Sequence, residues 1–239
     1  MTTLVVGASG ATGRLVVKQL LAAGESVRVI LRSMDALDES TRHHSNVQVL
    51  QASLLDLTHA QLVEQLRDCT AVVSCLGHNL TFKGLFGHPR RLVTQAVMAL
   101  CHAIEALAPP KPVKFILMNT SGNQNKQAGE SISLKESCVI GLLRYLLPPH
   151  VDNEQAAAFL QKTIGLHSPI IQWVAVRPDD LIDEPSVTAY VTHPSPIRSA
   201  IFDAGKTSRI NVAHFMSQLV LDDGLSDIWQ GQMPVIYNT

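Results

Sequence analysis

Near the start of the chain, Gly7-Ala8-Ser9-Gly10-Ala11-Thr12-Gly13 places three glycines at a spacing of three and three. The apolar run Thr3-Leu4-Val5-Val6 precedes this loop, and a helix-like stretch from Thr12 to Ala23 follows it. Strand, tight loop and helix in that order assign each glycine a task. The first permits the turn, the second admits an anion close to the backbone, and the third lets helix pack on strand. Main-chain N–H groups of Gly7, Ser9, Gly10, Ala11, Thr12 and Gly13 and the positive end of the helix then face a pyrophosphate. A structural turn also favours glycine, but Gly24 as a helix stop and Val27-Arg28-Val29-Ile30-Leu31 as a second strand complete a βαβ unit, the setting that a dinucleotide needs.

The residue at the end of the second strand chooses between two dinucleotides. A carboxylate there bonds the ribose 2'-hydroxyl of NAD, whereas an arginine pairs with the 2'-phosphate of NADP. The sequence reads Leu31-Arg32-Ser33, with no acid before Asp35, and Arg32 stands 25 residues after Gly7. Arg14, just past the last loop glycine, is placed to assist. Either arginine is alternatively a solvated surface charge. The expected cofactor is NADP.

Strand-helix alternation continues beyond this unit. Val47 to Leu50, a helix from His59 to Arg67, Ala71 to Leu76, a long helix from Leu92 to Leu107, and Phe115 to Met118 follow in order. These strands lack polar alternation, as expected when helices cover both faces. The expected fold is therefore α/β, a Rossmann-like doubly wound parallel sheet forming a single domain over residues 1–239. Past residue 120 the pattern loosens. Helices are expected on either side of Pro148-Pro149, the second from about Asp152 to Ile164, then a strand from Ile171 to Val176. Pro178, Pro185, Pro194 and Pro196 puncture the remainder, which reads as a small irregular C-terminal cap, with the substrate side drawn mainly from 120–239.

Composition narrows the partners. Hydrophobic residues make up 46% and charged residues 16%, so the chain buries a large core. Nineteen Lys and Arg against twenty Asp and Glu give a net charge of -1, no field for a phosphate backbone, and nucleic acid is not expected. No run reaches the roughly 18 apolar residues of a membrane span. Cys69, Cys75, Cys101 and Cys138 lack Cys-x-x-Cys spacing and read as buried thiols of a reducing, cytoplasmic protein. The ten histidines include no His-x-x-x-His pair, and no metal site is expected.

Several further segments carry a family resemblance. They are Ser53-Leu54-Leu55-Asp56-Leu57, Ser74-Cys75-Leu76-Gly77, Asn119-Thr120-Ser121-Gly122 and Val176-Arg177-Pro178-Asp179-Asp180-Leu181. With the glycine loop, they make the chain resemble the atypical short-chain dehydrogenase/reductase family. The likeness is to its small NAD(P)H-binding members related to NmrA-like and biliverdin reductase B-like proteins. The resemblance implies that Ser53 and Leu54 border the adenine and that Leu76 and Gly77 follow the ribose and nicotinamide. It also implies that an Arg-Pro turn after the sixth strand sets Pro178 beside the nicotinamide.

Reductases of this fold commonly use Tyr-x-x-x-Lys, the tyrosine donating a proton and the lysine lowering its pKa. This chain departs from that pattern. Four residues after Tyr145 and Tyr190 stand Pro149 and Pro194, and the chain ends two residues after Tyr237. Alignment of Ala156 to Leu160 with the family pattern puts His150 at the tyrosine position and Glu154 at the lysine position. His150 titrates near neutrality and is a candidate proton donor, or else a helix-start surface residue. Ser121 is a candidate substrate ligand, or else part of an ordinary turn. Phe82, Leu85 and Phe86, around Lys83 and Gly84, are placed to roof the cleft or to pack on the body. Two functions follow: an NADPH-dependent reductase of a small acceptor that needs little acid assistance, such as a flavin, quinone or conjugated carbonyl, or a non-catalytic NADP-sensing or protein-interaction module of NmrA-like type.

Overall fold

A computed structural model describes residues 1–78 and 87–239. Phe82, Lys83, Gly84, Leu85 and Phe86 lie outside the described residues.

The main sheet takes β1 (Thr2–Val6), β2 (Ser26–Leu31), β3 (Val47–Gln51), β4 (Ala71–Ser74), β5 (Val113–Met118) and β6 (Ile171–Pro178) in parallel, in spatial order β3-β2-β1-β4-β5-β6. That order reverses direction between β1 and β4, which opens a crevice at the carboxyl ends of the strands. Around the sheet lie α1 (Ala11–Ala22), the short α2 (Glu39–Arg42), α3 (His59–Leu66), α4 (Leu92–Leu107), α5 (Leu134–Leu146) and α6 (Pro148–Phe159). The small strands β7 (Asp180–Ile182) and β9 (Lys206–Ser208) pair with each other, apart from the main sheet.

Alternate residues of one strand feed two cores, which explains the missing polar alternation. On β1, Leu4 and Val6 join Leu62 and Leu66 of α3, Val97 and Leu100 of α4, and Ala156 of α6. Val5 points the other way and joins Val16, Val17 and Leu20 of α1, with Val212, Phe215 and Met216 of α7 (Arg209–Leu221). Each fully buried side chain of this kind stabilises the fold by about 1.5–3 kcal/mol.

The C-terminal part is more regular than its prolines suggest. Following α7, α8 (Asp223–Trp229) leads to β10 (Val235–Asn238), which pairs parallel with β6, while β8 (Tyr190–His193) closes the edge antiparallel to β10. Arg177 and Pro178 are accordingly the last residues of β6, opposite Val235 and Ile236, and the expected Arg-Pro turn starts only at Asp179. Pro148 opens α6 rather than ending a helix, because its missing N–H costs nothing in a first turn. The helix expected from Asp152 thus starts four residues earlier and gives way at Leu160–Ile164 to a wider π-type turn closed by Gly165 at φ +78°. All four cysteines are free; Cys69 and Cys101 are buried, Cys75 is half-buried, and Cys138 is exposed, contrary to the reading of a buried thiol there.

Candidate functional site

The carboxyl ends of β1, β2, β3 and β4 surround a cavity of about 470 Å³. Its floor is the glycine loop, where the three glycines meet different surroundings. Gly7 turns at φ +79°, and a Cβ there would sit 2.5 Å from the Cys75 backbone. A Cβ on Gly13 would sit 2.2 Å from the Gly7 carbonyl oxygen, so this glycine sets the approach of α1 to β1. Gly10 is different: it lines the cavity, and the nearest atom to its imagined Cβ is the Gly7 oxygen at 3.2 Å. A Cβ at Gly10 would press on that backbone oxygen and take up room on the cavity lining.

Gly10 is also the N-cap of α1, and it carries no side chain to accept from the first-turn N–H groups. Those donors require an external partner, and an anion in the cavity supplies one. The wall takes Gly7, Ser9 and Gly10 from this loop, while Ala11, Thr12, Gly13 and Arg14 do not line it. Thr12 and Gly13 are buried beneath the loop; Ala11 and Arg14 are exposed. Arg32, just after β2, does line the cavity with an exposed side chain, and Ser53 and Leu54 line it from the turn after β3. Leu76 and Gly77 complete the wall from β4. The donor-rich floor, Gly10 on the lining and Arg32, with no carboxylate among the described lining residues, fit a dinucleotide.

A buried polar knot ties this wall to the second half of the site. Asp152, on α6, accepts the N–H groups of Val93 and Thr94 at 2.7 and 2.9 Å and so caps α4 from another helix. Its Oδ2 also lies 2.8 Å from Nε2 of His78, the residue after Gly77. A carboxylate with three partners is tolerated in a dry interior and fixes the loop after β4 relative to α6. The sequence reading missed both residues.

A second cavity of about 480 Å³ opens past the ends of β5 and β6, with Ser121, Gly122, Glu136, Ile140 and Arg198 in its lining. Ser121 is held to β6 by its N–H, which donates to the Pro178 carbonyl at 3.0 Å, and its hydroxyl donates to Asp179 Oδ1 at 2.9 Å. Pro178 and Ser121 are thus adjacent, and both are distant in sequence from the glycine loop. His150, in the first turn of α6, lies against Gly122: a Cβ on Gly122 would be 3.6 Å from its Cε1. His150 Nε2 is 3.4 Å from Glu154 Oε1, and Glu154 in turn receives Arg144 through contacts of 2.8–3.1 Å. Burial opposes ionisation of Glu154, but His150 and Arg144 outweigh it and hold the carboxyl at about 2. At the expected lysine position stands a carboxylate paired with Arg144, and His150 Nε2 beside it is buried without a hydrogen-bond partner. Among the described side chains, Tyr190 pairs with His214 Nδ1 at 2.7 Å, and neither it nor Tyr237 lines either cavity.

One wall of the second cavity rests on a buried ion pair. Arg177 is fully buried in β6, and its guanidinium meets both oxygens of Glu130 at 2.6 and 2.8 Å as well as the carbonyls of Met233 and Asn123. Glu130 lines the cavity, so the pair moors the loop before α5 to the sheet. A charged residue directly after the apolar run Val174-Ala175-Val176 was the one sequence signal for it. Among the described residues no cluster of three or more His, Cys, Asp or Glu is arranged for a metal, and no helix is long and apolar enough to cross a membrane.

A family model described as NAD(P)H-binding matches residues 7–223. No curated protein matches the sequence. Among solved structures, the chain is similar to the oxidoreductase YlbE from Lactococcus lactis, at 18% identity and a TM-score of 0.69, over 100% of this chain and 91% of that one. It is similar to ChuY, an anaerobillin reductase from Escherichia coli O157:H7, at 17% identity and a TM-score of 0.69, over 100% and 97%. A short-chain dehydrogenase/reductase from Veillonella parvula in complex with NADP matches at 15% identity and a TM-score of 0.68, over 99% and 94%. At such identities these likenesses establish the shared fold, and function rests on the site.

Proposed function

The chain belongs to the NAD(P)H-binding family, and we propose that it is an NADP(H)-dependent reductase of a small organic acceptor such as a flavin, quinone or conjugated carbonyl. The observation that carries this reading is the convergence of Gly7, Ser9, Gly10, Arg32, Ser53 and Leu76 on one cavity at the reversal point of the sheet. When bound, the cofactor supplies a hydride. The chain's own contributions follow from position. The loop from Gly7 to Gly13 holds the pyrophosphate, with Ala11, Thr12 and Gly13 supplying first-turn N–H groups of α1. Arg32 pairs with the 2'-phosphate, and Arg14 assists from the exposed side of α1. Ser53 and Leu54 border the adenine, Leu76 and Gly77 follow the ribose and nicotinamide, and Pro178 bounds the nicotinamide end.

The acceptor occupies the second cavity, whose lining runs from Ser121 to Ala200, so residues 120–239 of this single domain supply the substrate side. Ser121 lines it, His150 stands behind Gly122 without lining it, and these two side chains are the candidates for positioning the proton. With Glu154 in place of a lysine there is no cation to activate a tyrosine, which favours acceptors that already stabilise the incoming charge. Anaerobillin, the conjugated tetrapyrrole in the name of the Escherichia coli relative, belongs to that chemical class. The test is stopped-flow observation of the nicotinamide absorbance with FMN, menadione and a linear tetrapyrrole. The reductase reading expects turnover with at least one of them; tight NADPH binding with no turnover on any favours the non-catalytic NADP-sensing module instead.

A further inference from the structure

Reduction of a quinone or conjugated carbonyl adds one hydride and one proton, and Ser121 has only one proton to give. Directly behind it, away from the cavity, stands Asp179. The Ser121 hydroxyl donates to Oδ1 at 2.9 Å, the Gly205 N–H donates to Oδ2 at 2.8 Å, and the Asp179 N–H reaches Thr207 Oγ1 at 3.4 Å. Thr207 is itself buried and donates to the Ile236 carbonyl at 2.6 Å. Serine and carboxylate are therefore fixed from both sides, by β6 and by the β9–β10 region, with only the serine on the cavity lining.

Building on the reductase reading above, we propose that Asp179 is the proton reservoir that recharges Ser121, acting through the serine as a positioning residue. In its acid form Asp179 donates to Ser121 Oγ and frees the serine hydrogen for the acceptor. The Ser121 O–H bond breaks as the acceptor gains its proton, the Asp179 O–H bond breaks as that of Ser121 re-forms, and the resulting carboxylate takes a proton back from water. In its ionised form Asp179 holds the serine hydrogen turned away from the cavity. The sign follows: activity is present while Asp179 is protonated and falls as pH rises through its pKa.

Burial pushes the Asp179 carboxyl above its ordinary range, against the opposing hydrogen bonds from Gly205 and Ser121; neighbouring Asp180 adds to the rise and Arg198 opposes it. The other groups facing this position are Tyr237 on β10, whose own pKa is raised by burial and then by Asp179, and Asp203, which occupies the Arg198 guanidinium. His150 faces the same turn from α6, at Gly122.

Two measurements decide the proposal. Carboxyl carbon-13 NMR titration of the cofactor-free protein, with Asp179 assigned by Asp179→Asn, should give a midpoint above the ordinary value of about 3.9. Ser121→Ala, which removes a donor to the ionised form, should move that midpoint further up. A midpoint at or below the ordinary value, or one unmoved by Ser121→Ala, overturns the relay. With NADPH and menadione, kcat of the wild type should fall at high pH, with the midpoint that the carboxyl has in the ternary complex. Asp179→Asn should lower kcat on the acid side at least about tenfold, within the range of a lost positioned acid, with KM for NADPH unchanged and the descending limb gone. Asp179→Glu should recover part of both. Turnover by Asp179→Asn superimposable on the wild type overturns the relay alone, whereas no turnover by the wild type overturns the reductase reading for quinones and leaves the titration to decide the relay.

Discussion

Gly13 is pressed so closely on Gly7 that a Cβ on the one would sit 2.2 Å from the carbonyl oxygen of the other, whereas a Cβ on Gly10, midway between them and on the cavity lining, would come no nearer to it than 3.2 Å. Two substitutions in one loop should therefore fail differently. Gly13→Ala forces backbone against backbone and should lower unfolding stability by about 1–3 kcal/mol or more. Gly10→Val should leave the circular dichroism spectrum and most of the stability intact while abolishing NADPH binding. Retained cofactor affinity in Gly10→Val would contradict the assignment of the cradle.

Arg177 is fully buried and the Glu130 side chain nearly so, and removal of the glutamate strands the guanidinium charge. Glu130→Ala should cost about 3–5 kcal/mol in urea denaturation, far more than an exposed ion pair is worth. A loss under about 1 kcal/mol would show that water or another residue takes over the guanidinium.

His150 lies beside the serine turn, and Glu154 rather than a lysine stands four residues after it. His150→Ala should reduce turnover of FMN or menadione by less than about a hundredfold, the low end of a general acid's contribution, without changing NADPH affinity. Efficient reduction of a simple ketone that is lost in Tyr145→Phe or Tyr190→Phe would contradict this, because a tyrosine outside the usual spacing would then be the donor.

Glu154 adds a pH dependence to stability. Its folded-state pKa is depressed from 4.5 to about 2, so its contribution is present above the unfolded-state value and is lost as pH falls through that window. The wild type should exceed Glu154→Gln in Tm at neutral pH, and the difference should shrink as pH is lowered from about 4.5 toward 2. A difference that is constant across the window would exclude linkage through this carboxyl.

The strands from β1 to β5 were legible because each is a short apolar run closed by a glycine or a polar turn, and α4 matched its expected bounds of Leu92–Leu107, whereas the short α2 was not foreseen. What escaped was set by partners remote in sequence. β10 is four residues long and is a strand only because β6 and β8 flank it. Asp152 reads as an unremarkable helix residue until it is seen to cap α4 across 59 positions, and Asp179 acquires a partner only when β5 and β6 pair. The one local hint, an arginine inside an apolar strand, required a buried acid that no spacing rule could locate as Glu130.

The central claim, that the cavity at the glycine loop is an NADP(H) site read by Arg32, is tested most directly by calorimetric titration of NADPH and NADH into the wild type and Arg32→Ala. A charge-assisted arginine–phosphate pair contributes about 1.5–3 kcal/mol, which predicts NADPH binding at least about tenfold tighter than NADH in the wild type and a preference largely lost in the variant. Equal affinities for the two cofactors, or an undiminished NADPH preference in Arg32→Ala, would contradict it.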